Sequence, residues 1–466
     1  MEIKLFNTMG RKKEVFKPIK SGKVKLYACG PTVYSYAHIG HFRAYVFVDV
    51  LRRMIKFNRL KLTHVMNITD VGHLTDDADQ GEDKIEKAAK KESKTVWEIA
   101  EFYIKDFFDA MEKLNVQKPE IICKATDHIQ EMIDLVKKIE SNGYTYRTSD
   151  GIYFDTSKLS DYGKLAGLDI EGLKEGARVE KNPEKKNPTD FALWKFAKEG
   201  EKRQMEWDSP WGPHSFPGWH IECTAMSMKY LGEVYDIHTG GVDHISVHHT
   251  NEIAQAQGTI GKDFVNYWLH NEFVNIDGEK MSKSKGNIYN MNDIEEKGFD
   301  PLAVRYLFLT AHYRSKINFT WGSLKAAENT LNTLREHIRL FQEKDDKKSD
   351  QNKVGEYRGK FLEFINDDLN TTEALSLMWK LIRDEKNINN KDKYELILDF
   401  DKVFGLKLDE IKLEEKIPEN IRQLIDDREK AREKKDYRKA DKIREKIREM
   451  GFKLQDTKKE VKVRKI

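Results

Sequence analysis

At 466 residues, 39% of them hydrophobic, the chain can form about three or four domains with buried cores. No apolar run approaches the roughly 18 residues of a transmembrane helix, and three widely spaced cysteines, Cys29, Cys123 and Cys223, argue against a disulfide framework. Net charge is +3 but uneven: residues 420–466 hold 18 Lys and Arg against 10 Asp and Glu, a local +8 on a body of −5. Such a tail suits a polyanionic partner, or else is a solvated charged helix. Residues 1–16 contain no apolar core of signal-peptide type, so a reducing cytoplasm is the expected compartment.

The first third alternates in character. Residues 24–28 and 62–68 read as strands and 42–55 and 97–114 as helices, which predicts a parallel sheet covered on both faces. From about 121 to 203 the pattern is interrupted by the hairpin-like Gly143-Tyr144-Thr145-Tyr146 and Gly151-Ile152-Tyr153-Phe154 and by a Pro/Lys/Asn loop at 182–188. Alternation resumes with a helix over 218–230 and a strand over 233–238 that runs into Gly240-Gly241. An α/β domain split by an insertion is expected. Beyond Asn287 the periodicity is all-helical, over 300–310, 324–341, 360–364, 372–383 and 393–404, with charged connectors. A linker ending at Pro418 leads to one long predicted helix, 421–450, with Gly451 as its C-cap.

Two strings carry chemistry. His38-Ile39-Gly40-His41 follows the first strand and the Gly30-Pro31 turn and opens the first helix, where a phosphate chain is best held. His38 and His41 share a face of the first turn, and Gly40 removes the side chain that would keep a nucleotide at a distance. Lys280-Met281-Ser282-Lys283-Ser284 is a basic loop between Gly278 and Gly286, whose ammonium groups can meet the charge that builds as pyrophosphate leaves. Lys283 is the one expected on ATP phosphates. Gly240-Gly241-Val242-Asp243 follows a strand where strand order should reverse. Its glycines would let the backbone close on adenosine, with Asp243 accepting from a ribose hydroxyl or a substrate amine, though the same pattern is a common turn.

Cys29 precedes the first turn, Cys223 lies in the predicted helix 218–230, and His248 and Glu252, four apart, face the same way. Two thiolates, one imidazole and one carboxylate can complete a tetrahedral zinc site. The spacing is not that of a zinc finger, so the residues alone equally allow two buried cysteines and a surface His/Glu pair.

The two signature strings, in this order and context, resemble those of class I aminoacyl-tRNA synthetases. Tyr27-Ala28-Cys29-Gly30-Pro31-Thr32-Val33-Tyr34, Gly218-Trp219-His220-Ile221-Glu222-Cys223 and His248-His249-Thr250-Asn251-Glu252 resemble segments peculiar to the cysteinyl-tRNA synthetases. Further likeness lies in Lys124-Ala125-Thr126-Asp127-His128-Ile129, Asn366-Asp367-Asp368-Leu369-Asn370-Thr371 and Ala440-Asp441-Lys442-Ile443-Arg444. It spans nearly the whole chain, with a longer stretch than many members carry at 72–82.

The resemblance implies an α/β fold: a class I Rossmann-like parallel sheet split by an insertion, then an all-helical bundle and a small basic C-terminal domain. The catalytic halves would be 1–120 and 206–265, the insertion 121–205, the signature-loop and stem-contact region 266–318, the bundle 319–408 and the anticodon-binding domain 420–466. It implies one zinc per chain on Cys29, Cys223, His248 and Glu252. Cys29, Thr32, Thr69, Trp219 and His238 would surround L-cysteine. His38, Gly40, His41, Gly240, Gly241, Asp243 and Lys283 would hold ATP, accompanied by magnesium. His38, His41, Lys280 and Lys283 would be catalytic, and Arg432, Tyr437, Asp441, Arg444 and Asp456 would contact tRNA. The implied activity is formation of cysteinyl-adenylate and transfer of cysteine to its tRNA by a cytoplasmic monomer without membrane attachment. Zinc would separate a thiol from a hydroxyl well enough that no editing domain is needed. Two rivals are a cysteine ligase acting on an amino-sugar, which the basic tail opposes, and a catalytically silent tRNA-binding paralogue, which the intact motifs oppose.

Overall fold

The computed structural model describes residues 2–72, 84–167, 183–197, 200, 203–281, 286–343, 345–412, 418–456 and 461–465. The stretch 73–82 and Lys283 therefore lie outside the described residues. Two compact units emerge, Met1–Ile411 and Lys412–Ile466.

The first unit is built on strands β1 (Lys23–Ala28), β2 (Lys61–Ile68), β3 (Ile121–Lys124), β4 (Tyr235–Gly241) and β5 (Val265–Asn271). They pair in parallel in the spatial order β5-β4-β1-β2-β3. Chain order thus reverses between β1 and β4, which opens a crevice at their C-terminal ends. Helices α1 (Ile39–Phe57), α2 (Val96–Lys113), α3 (Ile221–Leu231) and α4 (His248–Ile260) border the sheet. The expected parallel sheet is present, and helix and strand bounds agree within a few residues. The helix predicted from 218 starts at Ile221, and Gly218, Trp219 and His220 form the turn before α3.

From Phe42 to Ile55 nearly every residue of α1 is buried, so its polar side chains must find partners inside. Asp49 does so twice. Its Oδ2 accepts from Arg53 Nε and from Arg305 Nη2, both at 2.6 Å, and Arg305 also donates to the Leu114 and Phe404 carbonyls. This buried cluster ties α1 and the end of α2 to the helices that follow. At the other end of β1, a Cβ on Gly30 would fall 1.5 Å from the Asn67 carbonyl oxygen. A glycine there lets the chain leave β1 pressed against the end of β2.

The insertion is a five-stranded antiparallel sheet of Thr145–Thr148, Gly151–Phe154, Phe191–Phe196, Gly212–Pro217 and Trp207–Ser209. Both expected hairpin strands are there. Its predicted limits, 121 and 205, need correction: β3 pairs with β2 in the parallel sheet, while Trp207–Ser209 and Gly212–Pro217 pair within the inserted one. Short strands of similar composition carry no mark of the sheet they join.

After β5, Val274–Ile276 pairs with Glu279–Lys280 and with Ile317–Phe319. The region after Asn287 is therefore not all-helical, since a three-residue strand is too short to show a period. Helices Trp321–Phe341, Gln351–Asn366, Thr371–Ile382 and Asn390–Phe404 complete the bundle. The second of these is far longer than the predicted 360–364. Asp350 caps its polar first turn, and Val354, Tyr357, Phe361 and Ile365 form its buried stripe.

The second unit holds two helices, Glu419–Glu433 and Tyr437–Glu449, and a hairpin, Phe452–Asp456 with Val461–Lys465. The single long helix expected over 421–450 is broken at Lys435, which takes a left-handed φ of 59°. Asp436 then caps the second helix by accepting from the Lys439 backbone N–H at 3.0 Å. Ile421, Ile447 and Leu454 form its small core.

Candidate active site and metal centre

The crevice at the strand-order reversal collects the candidate residues from five elements. Cys29 follows β1, Thr69 follows β2, Gly240 and Gly241 end β4, and Cys223, His248 and Glu252 lie in the opening turns of α3 and α4. Thr32 bridges to Thr69, which brings the loop after β1 to the end of β2.

Cys29, Cys223, His248 and Glu252 offer ligand atoms that all lie within 4.8 Å of one another. The two sulfurs are 3.9 Å apart, and His248 Nε2 is 3.1 Å from Glu252 Oε1. A tetrahedral zinc with Zn–S near 2.3 Å sets its sulfurs about 3.8 Å apart, and N and O ligands near 2.0 Å stand about 3.3 Å apart. The four residues fit such an ion. A second group, Cys29, His238, His249 and Glu252, is equally close, but it holds one thiol instead of two and so suits a soft cation less well.

The surroundings orient these groups. His220 Nδ1 and His248 Nδ1 share a hydrogen bond of 2.8 Å, which leaves His248 Nε2 toward Glu252. The other oxygen of Glu252 meets His238 Nε2 at 2.8 Å. His238 is fully buried, stacked on Trp268 at 4.7 Å, and its described polar contact is thus with Glu252. Trp219 stacks on His220 and lies beside His248, half-buried. Asn67 Oδ1 accepts from the Gly30 N–H at 2.8 Å, its Nδ2 donates to Thr69 Oγ1, and that hydroxyl donates to Glu222 Oε2 at 2.8 Å. Asn67, His220, Glu222, His249 and His270 were not singled out from sequence. His220, Glu222 and His249 sit inside quoted motifs and Asn67 inside the predicted strand 62–68, whereas His270 carries no local signal and enters through its 2.8 Å bond to His249.

Without a cation, the cluster is set to receive one. A hydrogen bond from Cys29 brings the Cys223 thiol down to about 7, while burial pushes Cys29 well up. Burial works against charge on Glu252, but His238 and His248 outweigh it and hold the carboxyl at about 2. Burial also opposes charge on His248, yet Cys223 and Glu252 raise it to about 10. Two anionic ligands held by one protonated imidazole make a site where a cation can displace protons.

The signature strings meet beside this crevice. The His38 and His41 rings stack at 3.7 Å, and the His38 N–H donates to His41 Nδ1 at 3.2 Å. His38 is extended and α1 begins after it, in a capping box where the His38 side chain takes the His41 N–H and the His41 side chain takes the His38 N–H. The Ile39 N–H donates to the Tyr289 carbonyl, and His38 bridges to Asn290, which brings the segment after the basic loop against this turn. Lys280 is exposed, its Nζ 5.5 Å over the Phe273 ring. Gly240 has a nearer reason to lack a side chain than a nucleotide: its Cβ would stand 2.6 Å from the His249 ring and 2.7 Å from His244. Asp243 is exposed at the rim.

In the second unit Tyr437, Asp441 and Arg444 share an exposed face of their helix, beside the buried Ala440 and Ile447. Arg432 is exposed on the preceding helix, and Asp456 lies in the hairpin with its side chain outside the described residues.

Residues 15–329 match the family model for the class I (C) tRNA synthetase catalytic domain, and residues 414–464 match that for the cysteinyl-tRNA ligase anticodon-binding domain. The chain is 47% identical to the cysteine–tRNA ligase of Treponema denticola, over 98% of each chain. It is 48% identical to cysteine–tRNA ligase 1 of Burkholderia lata, over 98% of this chain and 96% of that one. Among solved structures, methionyl-tRNA synthetase of Mycobacterium tuberculosis with methionyl-adenylate superposes with a TM-score of 0.58 at 15% identity. That match covers 82% of this chain and 90% of the other and speaks for the fold.

Proposed function

The chain belongs to the class I cysteine–tRNA ligases, and on that footing we propose that it activates L-cysteine with ATP through a zinc-selected thiol and transfers it to the cysteine tRNA. The observation that carries this reading is the convergence of Cys29, Cys223, His248 and Glu252 on one buried point at the strand-order reversal. Zinc bound there supplies a soft centre that prefers a thiolate sulfur to a neutral hydroxyl, which separates cysteine from serine without editing.

In the first step a carboxylate oxygen of cysteine attacks the α-phosphorus of ATP, and pyrophosphate leaves with its magnesium. The N-terminal turn of α1, with His38, Gly40 and His41, holds the phosphates. Lys280 and Lys283 meet the charge that grows on the leaving group. Asp243 and the Gly240-Gly241 turn face the adenosine, while Thr32, Thr69 and Trp219 flank the amino acid and His238 fixes Glu252. In the second step the terminal ribose hydroxyl of tRNA attacks the activated carbonyl, and AMP leaves. No side chain need act as a covalent nucleophile, so positioning and electrostatics carry the rate. Arg432, Tyr437, Asp441, Arg444 and Asp456 read the anticodon end.

Among the described residues no helix is long and apolar enough to cross a membrane, and a cytoplasmic monomer is the state we assign. The test is cysteine-dependent ATP–pyrophosphate exchange, run alongside tRNA charging. Exchange with cysteine and charging of its tRNA are expected. Absence of exchange overturns the reading, and exchange without charging favours an amino-sugar or other acceptor.

A further inference from the structure

Two exposed rings stand at the edge of the site. Tyr36 is 38% and Phe102 43% exposed, and they lean on each other at 6.1 Å between centroids. Both also pack edge-on against Tyr103, at 5.2 and 5.1 Å. Tyr103 is itself buried, its hydroxyl fixed on Glu92 at 3.1 Å. A single exposed aromatic residue calls for no explanation, but two in contact on a fixed base form a surface that water covers poorly.

The location of this surface restricts what it can bind. Tyr36 precedes His38 by two residues, at most about 7 Å of chain, so the rings share the rim of the turn assigned to ATP phosphates. The charge beside it is positive. Residues 84–95 carry five lysines and two glutamates, Lys90 and Lys91 are exposed, and Lys94, paired with Glu92 at 2.9 Å, sets its Nζ 4.9 Å over the Phe102 ring. Acidic neighbours are engaged within the chain: Glu98 accepts from the Thr95 N–H, and Glu101 pairs with Lys124. Flat exposed rings flanked by ammonium groups match unpaired nucleic-acid bases, with their π faces and phosphates, better than an apolar peptide.

We infer that Tyr36 and Phe102, backed by Tyr103 and Lys94, form a stacking platform for the single-stranded 3′ end of tRNA outside the reaction pocket. This rests on the tRNA-charging reading above. The platform holds the unpaired bases next to the terminal nucleotide, so that the terminal ribose enters the crevice already oriented. It takes no part in adenylate formation.

The test uses full-length protein and tRNA carrying 2-aminopurine at an unpaired position near its 3′ end. In the parent, stacking on the platform should quench the probe. Tyr36→Ala and Phe102→Ala should each abolish part of the quench and lower kcat/KM for tRNA charging by about ten- to a hundredfold, the range for one lost base stack. Tyr36→Phe and Phe102→Tyr, which keep the rings, should restore both. Trp97→Ala, at a 46% exposed position on the same helix, should change neither. Cysteine-dependent pyrophosphate exchange should be unaltered in every variant, which also reports that each has folded. If exchange persists while the alanine variants quench the probe and charge tRNA as the parent does, the platform is overturned. If the parent itself exchanges no pyrophosphate, it is the function reading that fails.

Discussion

Gly40 and Met281 stand in contact, although one opens α1 and the other lies past the middle of the chain: a Cβ on Gly40 would fall 2.5 Å from Met281 Cε. The two signature strings are therefore one structure. The Met281 methyl lies over the first turn of α1 beside the His38 ring, so the Lys280-Met281 end of the second string is set against the turn that carries the first.

Gly40→Ala tests that contact. The added methyl would press on Met281 and on the His38 ring, whose Cε1 lies 3.1 Å from the new atom. Met281 has a flexible end and can move, so the fold should persist. Displacing the loop by even about 1 Å should cost on the order of a hundredfold in the rate of pyrophosphate exchange. Exchange kinetics beside a thermal melt make the comparison, and an unchanged rate would show that the contact does not position the loop.

The metal centre makes a separate claim. One zinc per chain is expected on elemental analysis of the purified protein. Cys223→Ser replaces one of two soft ligands and should reduce zinc content sharply, with cysteine activation falling far more than ATP binding. His220→Phe removes the hydrogen bond that orients His248 and should weaken zinc by about 10- to 100-fold while leaving all four ligands in place. Full zinc occupancy in Cys223→Ser would sink the ligand assignment.

Asp49 bears on stability. It is fully buried with Arg305 and beside Arg53, so Asp49→Ala would strand two guanidinium groups. A loss of roughly 3–5 kcal/mol is expected, because the cost is that of uncompensated buried charge. Burial by itself would raise the carboxyl, but Arg305 and Arg53 hold it below its ordinary 3.8. Its contribution is therefore full above about pH 4 and is lost only as pH falls through the lower folded value. Urea unfolding of parent and variant at neutral pH gives the difference directly, and a shift under about 1 kcal/mol would contradict it.

These contacts show what could be read from the sequence alone. The strand–helix alternation behind the parallel sheet and α1 follows from local period, whereas Cys29, Cys223, His248 and Glu252 are brought together in the sequence only by the family resemblance. What escaped depends on pairing at a distance. β3 and Trp207–Ser209 are both short strands, and only their partners assign one to the parallel sheet and the other to the insertion. His270 is an ordinary strand residue until His249 packs against it. The break at Lys435 was hidden because lysine is a good helix former, and the left-handed turn there is supported by the Asp436 cap.

The second unit offers the sharpest division of labour. Its core is small, Ile421, Ile447 and Leu454 with a few partly buried neighbours, so it has little stability to spare. Ile447→Ala should cost about 2–5 kcal/mol, enough to unfold this unit while the 1–411 unit keeps its own core. Pyrophosphate exchange should then be retained and tRNA charging largely lost. Tyr437, Asp441 and Arg444 are exposed on the same helix, beside its buried residues, so alanine there should leave the unit folded. Lysine changes on this unit should weaken binding to all tRNAs and flatten its salt dependence, whereas Asp441→Ala and Arg444→Ala should chiefly erode discrimination among anticodons. The measurement is charging of the cysteine tRNA against anticodon-swapped versions by the parent and each variant, with circular dichroism reporting the unit's fold. If the Ile447→Ala protein has lost this unit's structure yet charges tRNA with undiminished rate and selectivity, the exposed face is a solvated helix surface and the anticodon is read elsewhere.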